Sequence, residues 1–377
     1  MAVLFITHKY PPSTGGMEQQ SYQLITGYQA LHKAYSIIYK GEESITMFFI
    51  KLRYRVNKML KANPEITTIH FNDGLMAAFF ILLKVSPKGR KCVVTMHGLD
   101  VVFPLKLYQK FILPQIAEKM DAIIAVSTAT KDACIEREFP IEKIHVIHNG
   151  VTLSSFESVD DDQNKIDGID FEKDKILLAI GRPVKRKGFS WFSEEVMHLL
   201  DPNFKFIHIG KINTKLPIFY PFLPKRLTSI YDLFTGRAND TIDLLVAAKK
   251  SNNRTIIAGH LSDEQRDSLI KRANLVVMPN KKIAGDMEGF GLVALEAAIL
   301  GKTVLVSDIE GMQDAIIHGK NGYRVMAGNA MIWTKSIYNL IGNADLTEKD
   351  IREFTIQNYS WEKMVLGYKD VFERIHK

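Results

Sequence analysis

Short apolar runs alternate with longer stretches of helical spacing along almost the whole chain. In the first half AVLFIT, AYSIIY, ITTIHF, KCVVTM, DAIIAV and KIHVIH read as strands, being short, apolar and rich in β-branched residues. Between them, MEQQSYQLITGYQALHK and PLKLYQKFILPQIAEKM repeat apolar residues at three- and four-residue spacing and read as helices. FESVDDDQNKIDGIDFEKDK then breaks the pattern; acidic and poor in large apolar groups, it reads as a linker. Beyond it the alternation resumes with KILLAIG, FKFIHIG, RTIIAG, ANLVVMP and KTVLVS. This order predicts an α/β chain of two Rossmann-like parallel-sheet domains, residues 1–172 and 173–357. Ligands of such sheets bind beyond the carboxyl ends of the strands, and two domains facing each other are expected to form one cleft.

Composition narrows the class. A chain of 377 residues, 46% hydrophobic and 24% charged, is long enough for two domains with real cores. Cys92 and Cys134 cannot build a disulfide framework, and no CxxC or Cys/His cluster points to zinc, so a reducing, cytoplasmic setting is expected. The opening MAVLFITHKYPP lacks a charged lead and reads as a first strand rather than a signal peptide. No uncharged apolar run reaches about 18 residues, so no membrane-spanning helix is expected.

The net charge of +7 is uneven: residues 1–150 hold 18 Lys and Arg against 12 Asp and Glu, whereas the remainder holds 31 against 30. A basic first half implies either an anionic partner or a solubilising surface. Nucleic acid is disfavoured, because the cations lack aromatic interleaving and no zinc-finger or RNA-binding motif is present. In SITMFFIKLRYRVNKML, residues 44–60, Ile45, Phe49, Leu52, Val56 and Leu60 recur at helical spacing among Lys51, Arg53, Arg55 and Lys58. Such a basic amphipathic helix either rests on anionic lipid as a weak peripheral contact or packs on its sheet with a solvated basic face.

Candidate chemistry gathers where strands end. After the first strand, THKYPPSTGGMEQQ places Gly15 and Gly16 before a helix, where backbone amides can face a phosphate. This is not the GxGxxG fingerprint, which argues against a nicotinamide dehydrogenase. VVTMHGLD puts His97 at a strand tip, and HNGV, with Asn149, is either a plain Asn-Gly turn or part of a site. The second half opens with AIGRPVKRKGFSW, four cations within residues 182–187; Arg182 and Lys187 are placed to clamp a diphosphate. GDMEGFGLVALEA then brackets a helix start with Glu288 and Glu296. At about 1.5 Å per residue their spacing spans roughly 12 Å, the scale of a nucleoside diphosphate-sugar whose phosphates rest on helix-start amides.

Taken together, the PPSTGG loop, the MHG tip, HNGV, GRPVKRKG, MEGFGLVALEA and the terminal QNYSWEKMVLGYKDVF resemble the family-4 retaining glycosyltransferases, which have the GT-B fold. The resemblance implies that Arg182 and Lys187 bind the donor diphosphate, helped by Gly15, Gly16, Asn149 and the amides of Gly289, Phe290, Gly291 and Leu292. It implies that Glu288 contacts the transferred sugar, Glu296 the ribose, and that His97 lies beside the reacting centre. The first domain would bind a glycan or lipid-linked acceptor and the second a UDP- or GDP-sugar donor. The last helix, about 358–377, would return to the first domain. Retention and freedom from any metal cofactor come from the resemblance alone; the DDD at 160–162 reads as solvated linker. Thr152 stands where the family usually has aspartate, Pro183 where leucine is common, and segment 215–250 is longer than the usual connection. Two other functions remain compatible: a non-catalytic nucleotide-sugar-binding subunit and a nucleotide-sugar epimerase of the same fold.

Overall fold

The computed structural model describes residues 1–152, 166–212, 214, 217, 220, 224–235, 237, 239–343 and 345–377. The acidic run DDD at 160–162 lies outside them. The chain divides into two compact units, the first comprising 1–150, 288–290 and 359–377, the second 151–287 and 291–358.

The first unit runs β1 (Ala2–Thr7), α1 (Gly16–Leu31), β2 (Ala34–Ile38), α2 (Ile45–Ala62), β3 (Ile66–Phe71), α3 (Gly74–Leu82), β4 (Lys91–Met96), α4 (Leu99–Val102), a π-helical turn Tyr108–Ile112, α5 (Leu113–Lys119), β5 (Ala122–Ala125), α6 (Thr128–Ile135) and β6 (Ile144–Val146). Its six strands lie in the order β2-β1-β3-β4-β5-β6, every pairing parallel. Because β1 is central and covered on both faces, all six of its residues are buried, which is why AVLFIT is an unbroken apolar run rather than an alternating one.

The crossovers from β1 to β2 and from β2 to β3 run in opposite directions, so right-handedness puts α1 and α2 on opposite faces of this sheet. On the α2 face, α2, α3 and α5 pack in a row. Ser44 caps α2 by accepting from the Met47 amide at 3.2 Å, and Phe48, Leu52, Val56 and Leu60, each four apart, form its buried stripe. The structure corrects the sequence reading here: Ile45 is exposed, and Phe49 leaves the stripe to stack on Phe79 of α3 with ring centroids 4.0 Å apart. PLKLYQKFILPQIAEKM is helical without a break from 106 to 119, as expected, but Pro114 has no amide hydrogen to donate and the turn Tyr108–Ile112 before it is π-helical.

The second unit runs β7 (Lys175–Ile180), α7 (Phe189–Trp191), β8 (Phe204–Ile209), α8 (Lys225–Thr235), α9 (Thr241–Lys250), β9 (Thr255–Gly259), α10 (Asp263–Arg272), β10 (Leu275–Met278), α11 (Leu292–Ile299), β11 (Val304–Ser307), α12 (Met312–Ala315), β12 (Tyr323–Val325), α13 (Ala330–Gly342) and α14 (Glu348–Asn358). Its sheet is again parallel, in the order β12-β11-β10-β7-β8-β9. Strand β12, only three residues long and none of them fully buried, carries no pattern that sequence reading detects. Phe189, Phe192, Phe206, Val277, Leu305 and Trp333 anchor the core of this unit.

The last helix, α15 (Trp361–Arg374), belongs to the first unit and packs on α1. Met364, Val365, Tyr368 and Phe372 join Val3, Phe5, Leu24 and Tyr28 in one buried cluster. Gly27 permits the close approach, since a β-carbon there would stand 2.7 Å from Val365 Cγ2. Fourteen residues of the chain's end are thereby committed to a core built mainly from its beginning.

Candidate active site

Each unit presents polar groups at the carboxyl ends of its strands. In the first unit they form a connected network. His70, buried at the end of β3, donates from Nδ1 to Asn72 Oδ1 at 3.0 Å and pairs through Nε2 with Thr95 Oγ1 at 2.9 Å. Burial pushes its pKa down to about 3, so the ring is neutral and both nitrogens are spent on structure. The network continues from Thr95 to the Tyr368 hydroxyl of α15 at 3.0 Å, which also accepts from Gln20 of α1 at 3.0 Å.

His97 follows β4. Its Nε2 donates to the Asn72 carbonyl at 2.8 Å, and its backbone amide donates to Asp100 Oδ1 at 2.9 Å. That first bond fixes the ring orientation and assigns the proton to Nε2, leaving Nδ1 as the acceptor nitrogen. Asp100 also accepts from the Gly74 amide at 3.0 Å, and Asp73 caps α3 by accepting from Met76 while lying 3.1 Å from His8 Nδ1. Burial opposes the charge on both carboxylates. For Asp73 the contacts from His8, the Met76 amide and His97 outweigh burial and hold it below the ordinary range. For Asp100 burial wins, with help from the neighbouring Asp73 charge, and its carboxyl is raised. Sequence reading missed His8, Asp73 and Asp100. A signal existed for Asp100, three positions after His97 in HGLD, but an aspartate after a glycine turn is too common to single out.

Glu288, Gly289 and Phe290 cluster with the first unit, whereas Gly291 and α11 cluster with the second. Gly289 is required: a β-carbon there would overlap the carbonyl oxygen of His97. Phe290 stacks on His148, centroids 5.6 Å apart at 25°, and Glu288 is buried. Asn149 is buried, and the adjacent Gly150 lies against the backbone of Trp361, where a β-carbon would overlap the start of α15. Packing beneath α15 is therefore a sufficient reason for glycine in HNGV. Gly15 and Gly16 are exposed at the start of α1. The carboxylate of Glu18 folds back over Gly15 and lies 3.6 Å from Lys9, so this helix start already carries a negative charge.

In the second unit the loop after β7 is bounded by Gly181 and Gly188, both with positive φ. Its ends are pinned: His208 Nε2 donates to the Gly181 carbonyl at 2.9 Å, and the Lys281 amide donates to the Arg186 carbonyl at 2.7 Å. Burial lowers the pKa of His208 to about 4, keeping it neutral for that bond. The four cations have different environments. Arg186 Nε lies 3.2 Å from Asp286 Oδ1, a half-buried structural pair. Arg182 and Lys185 are exposed, and Lys187 is half-buried, its Cε folded towards Gly181.

Glu296 sits in the second turn of α11, half-buried. Burial raises its pKa; Arg266 and Lys187 draw it down, and Asp267 and Asp263 push it up. The second unit therefore brings Lys187, from one loop, within electrostatic reach of Glu296, from a distant helix. Arg266 is the member that sequence reading missed. It is held by Asp267 at 2.9 Å and Asp263 at 2.9 Å, and nothing in its sequence context distinguishes it from a surface arginine. At the head of α11, Gly291 leaves room for Met312, whose Sδ would lie 2.7 Å from a β-carbon, and Leu292 opens the helix.

A groove of about 640 Å3 also runs along the edge strand β2 beside α2, lined by Tyr39, Glu43, Arg55 and Met59 among others. None of the expected site residues lines it. Among the described residues no three His, Cys, Asp or Glu side chains gather to hold a metal ion, and no helix is long and apolar enough to cross a membrane.

Comparison with known proteins follows the same division. The family model described as glycosyl transferases group 1 matches residues 160–357, and that of glycosyltransferase family 4 matches residues 2–155. An uncharacterized glycosyltransferase of Methanocaldococcus jannaschii is 26% identical over 322 residues, 82% of this chain and 74% of its own. The capsular polysaccharide biosynthesis glycosyltransferase CapM of Staphylococcus aureus is 28% identical over 68% of this chain and 62% of its own. Among solved structures, sucrose-phosphate synthase from Thermosynechococcus elongatus superposes with a TM-score of 0.74 at 18% identity, covering 100% of this chain and 99% of that one. Anabaena HepE in complex with UDP-glucose gives 0.69 at 18% identity, over 100% and 99%. Two parallel six-stranded sheets, a matching model for each half and full-length structural likeness converge: the chain belongs to the glycosyl transferases group 1 family and has the GT-B fold.

Proposed function

We propose that this chain moves a hexosyl unit, with retention and without a metal cofactor, from a UDP- or GDP-sugar to a glycan or lipid-linked glycan in the synthesis of an envelope polysaccharide. The observation that carries the donor half is that Lys187, in the loop after β7, lies within electrostatic reach of Glu296 in the second turn of α11. A cation, a carboxylate and helix-start amides are the complement of a nucleoside diphosphate: the carboxylate accepts from ribose hydroxyls while cation and amides face the phosphates. Arg182 adds a guanidinium on the same loop.

Breaking the bond between sugar and diphosphate leaves two negative phosphates next to a sugar carbon gaining positive character. Fixed cations and amides stabilise that departing charge without reorganising, the task a divalent ion performs elsewhere. In the first unit, His97 and the backbone at Gly289 offer polar groups for the sugar and acceptor, and on this reading Glu288, buried next to Gly289, accepts from sugar hydroxyls. Support for the acceptor class comes from the names of relatives: CapM, and the lipopolysaccharide 1,2-N-acetylglucosaminetransferase of Salmonella typhimurium, 25% identical over 66% of this chain and 61% of its own. HepE has been solved with UDP-glucose. Retention rests on membership of the family, and a cytoplasmic location, at or near the membrane face, completes the reading.

A melting series with UDP, GDP, ADP and their sugars tests the donor class, since a ligand that binds only the folded state stabilises it the more, the further its concentration exceeds its Kd. UDP or GDP should raise the melting temperature by several degrees. No rise with any nucleotide at millimolar concentration overturns the reading.

A further inference from the structure

The loop after β7 is held at more than its two ends. Its middle is gripped by a turn 54 residues further along the chain. Asn239 Oδ1 accepts from the Lys185 amide at 2.9 Å, and the Asp240 amide donates to the Pro183 carbonyl at 2.9 Å. Asp240 also reaches the helix that follows the loop. Its carboxylate accepts from the Ser190 hydroxyl at 2.7 Å and from the Ser190 amide at 3.2 Å, satisfying a donor in the first turn of α7. Two adjacent residues thus tie the loop and the start of its helix to one point.

That turn is itself braced. Asp232 of α8, buried, accepts from the Tyr220 hydroxyl at 2.8 Å and from Arg237 Nη1 at 3.0 Å, and its carbonyl accepts from the Arg237 amide at 2.8 Å. The Arg237 guanidinium lies over the Tyr220 ring, 4.3 Å from its centre. Arg237 stands two residues before Asn239, so this knot fixes the direction from which the turn meets the loop. On its other side Asp240 leads into α9, which packs on α7 and buries Leu244 and Ala247.

Satisfying the backbone asks for less than this. Lys185 is exposed, and water could serve its amide; the Asn239 side chain serves it instead. What these bonds add is rigidity between Arg182 and Lys187, which stand on either side of the held stretch. Long cationic side chains have many rotamers, so a clamp on two phosphates needs a fixed backbone beneath both cations.

We propose that Asn239 and Asp240 are positioning residues for the donor diphosphate. They act through the loop rather than on the ligand, holding the backbone between Arg182 and Lys187 so that both cations meet the phosphates at once. The role rests on the nucleoside diphosphate donor proposed above, and it gives the long segment 215–250 a task in binding.

Calorimetric titration of the full chain with UDP and GDP tests this. Asn239→Ala should weaken binding of the diphosphate that the parent takes at least fivefold. Its melting temperature should stay within about 2 °C of the parent, as for a minor surface change. Asn239→Asp keeps the accepting oxygen and should return affinity to within twofold of the parent. Made in a Lys187→Ala background, Asn239→Ala should cost less than it does alone, because one arm of the clamp is already gone. Parental affinity in Asn239→Ala overturns the role, as does failure of the aspartate to restore binding, full additivity with Lys187→Ala, or a loss of affinity matched by a much lower melting temperature. A parent that binds neither diphosphate sinks the donor reading and this role with it. A parent that binds one, with Asn239→Ala binding it equally well, sinks the positioning role alone.

Discussion

The carbonyl oxygen of His97 occupies the space that a side chain at position 289 would need. The strand tip that carries a candidate catalytic histidine and the glycine after the first motif glutamate are thus in backbone contact within one unit. Gly289→Ala forces a β-carbon onto backbone rather than onto a flexible side chain. It should cost about 1–3 kcal/mol of stability, the usual range for overpacking, and reduce turnover further by displacing Glu288 and His97. Thermal melting and transfer rate measured on the same preparation check both effects; a fully active, equally stable variant refutes the contact.

On the proposed reading the basic loop separates into ligand and scaffold cations. Lys187→Ala should weaken nucleoside diphosphate binding by about 1.5–3 kcal/mol, the range for a lost hydrogen bond to a charged group. Arg186→Ala should instead lower the melting temperature of the free protein and change binding less, because its guanidinium is paired with Asp286. Calorimetric titration with UDP and GDP, beside melts of the free variants, tests the assignment, and interchanged behaviour would sink it.

Glu296 should show a conflict between stability and binding. Its pKa is raised above the ordinary 4.5, burial being the main cause, so the fold favours its neutral form. That contribution is complete below pH 4.5 and is lost as pH rises through the folded value. Near neutrality, Glu296→Gln should therefore melt higher than the parent, by on the order of 1 kcal/mol or roughly 2–4 °C. The difference should vanish below pH 4.5. Nucleotide affinity should fall, because an amide accepts less strongly from ribose hydroxyls than a carboxylate. Melting curves across pH, with and without nucleotide, decide it.

Asp73 has the opposite sign. Burial notwithstanding, His8, the Met76 amide and His97 hold its carboxyl below the ordinary 3.8. Its charged form contributes stability above pH 3.8 that drains away as pH falls through the lower folded value. Asp73→Asn, which keeps the helix cap but removes the charge facing His8, should lower stability at neutral pH by roughly 1–3 kcal/mol. The two melting profiles should converge progressively below pH 3.8. A gap that persists unchanged into acid would show that the charge is not what Asp73 contributes.

Much of this protein is written locally. Apolar runs such as AVLFIT and KILLAI are strands because both sheet faces are covered, and the order of strands and helices alone predicts two parallel sheets. The motifs, read in order, were enough to place the chain by resemblance among family-4 glycosyltransferases, whose model matches residues 2–155. What sequence could not decide was every pairing of residues far apart in the chain. Periodicity marks α2 as two-sided, yet only packing selects Phe48 over Phe49 for the core and turns Ile50 and Tyr54 outward. Composition counts four cations after β7; the fold commits Arg186 to Asp286 and brings Lys187 within reach of Glu296. An apolar pattern records how each segment is covered, whereas a site depends on which segments meet, and that is settled only when the chain packs.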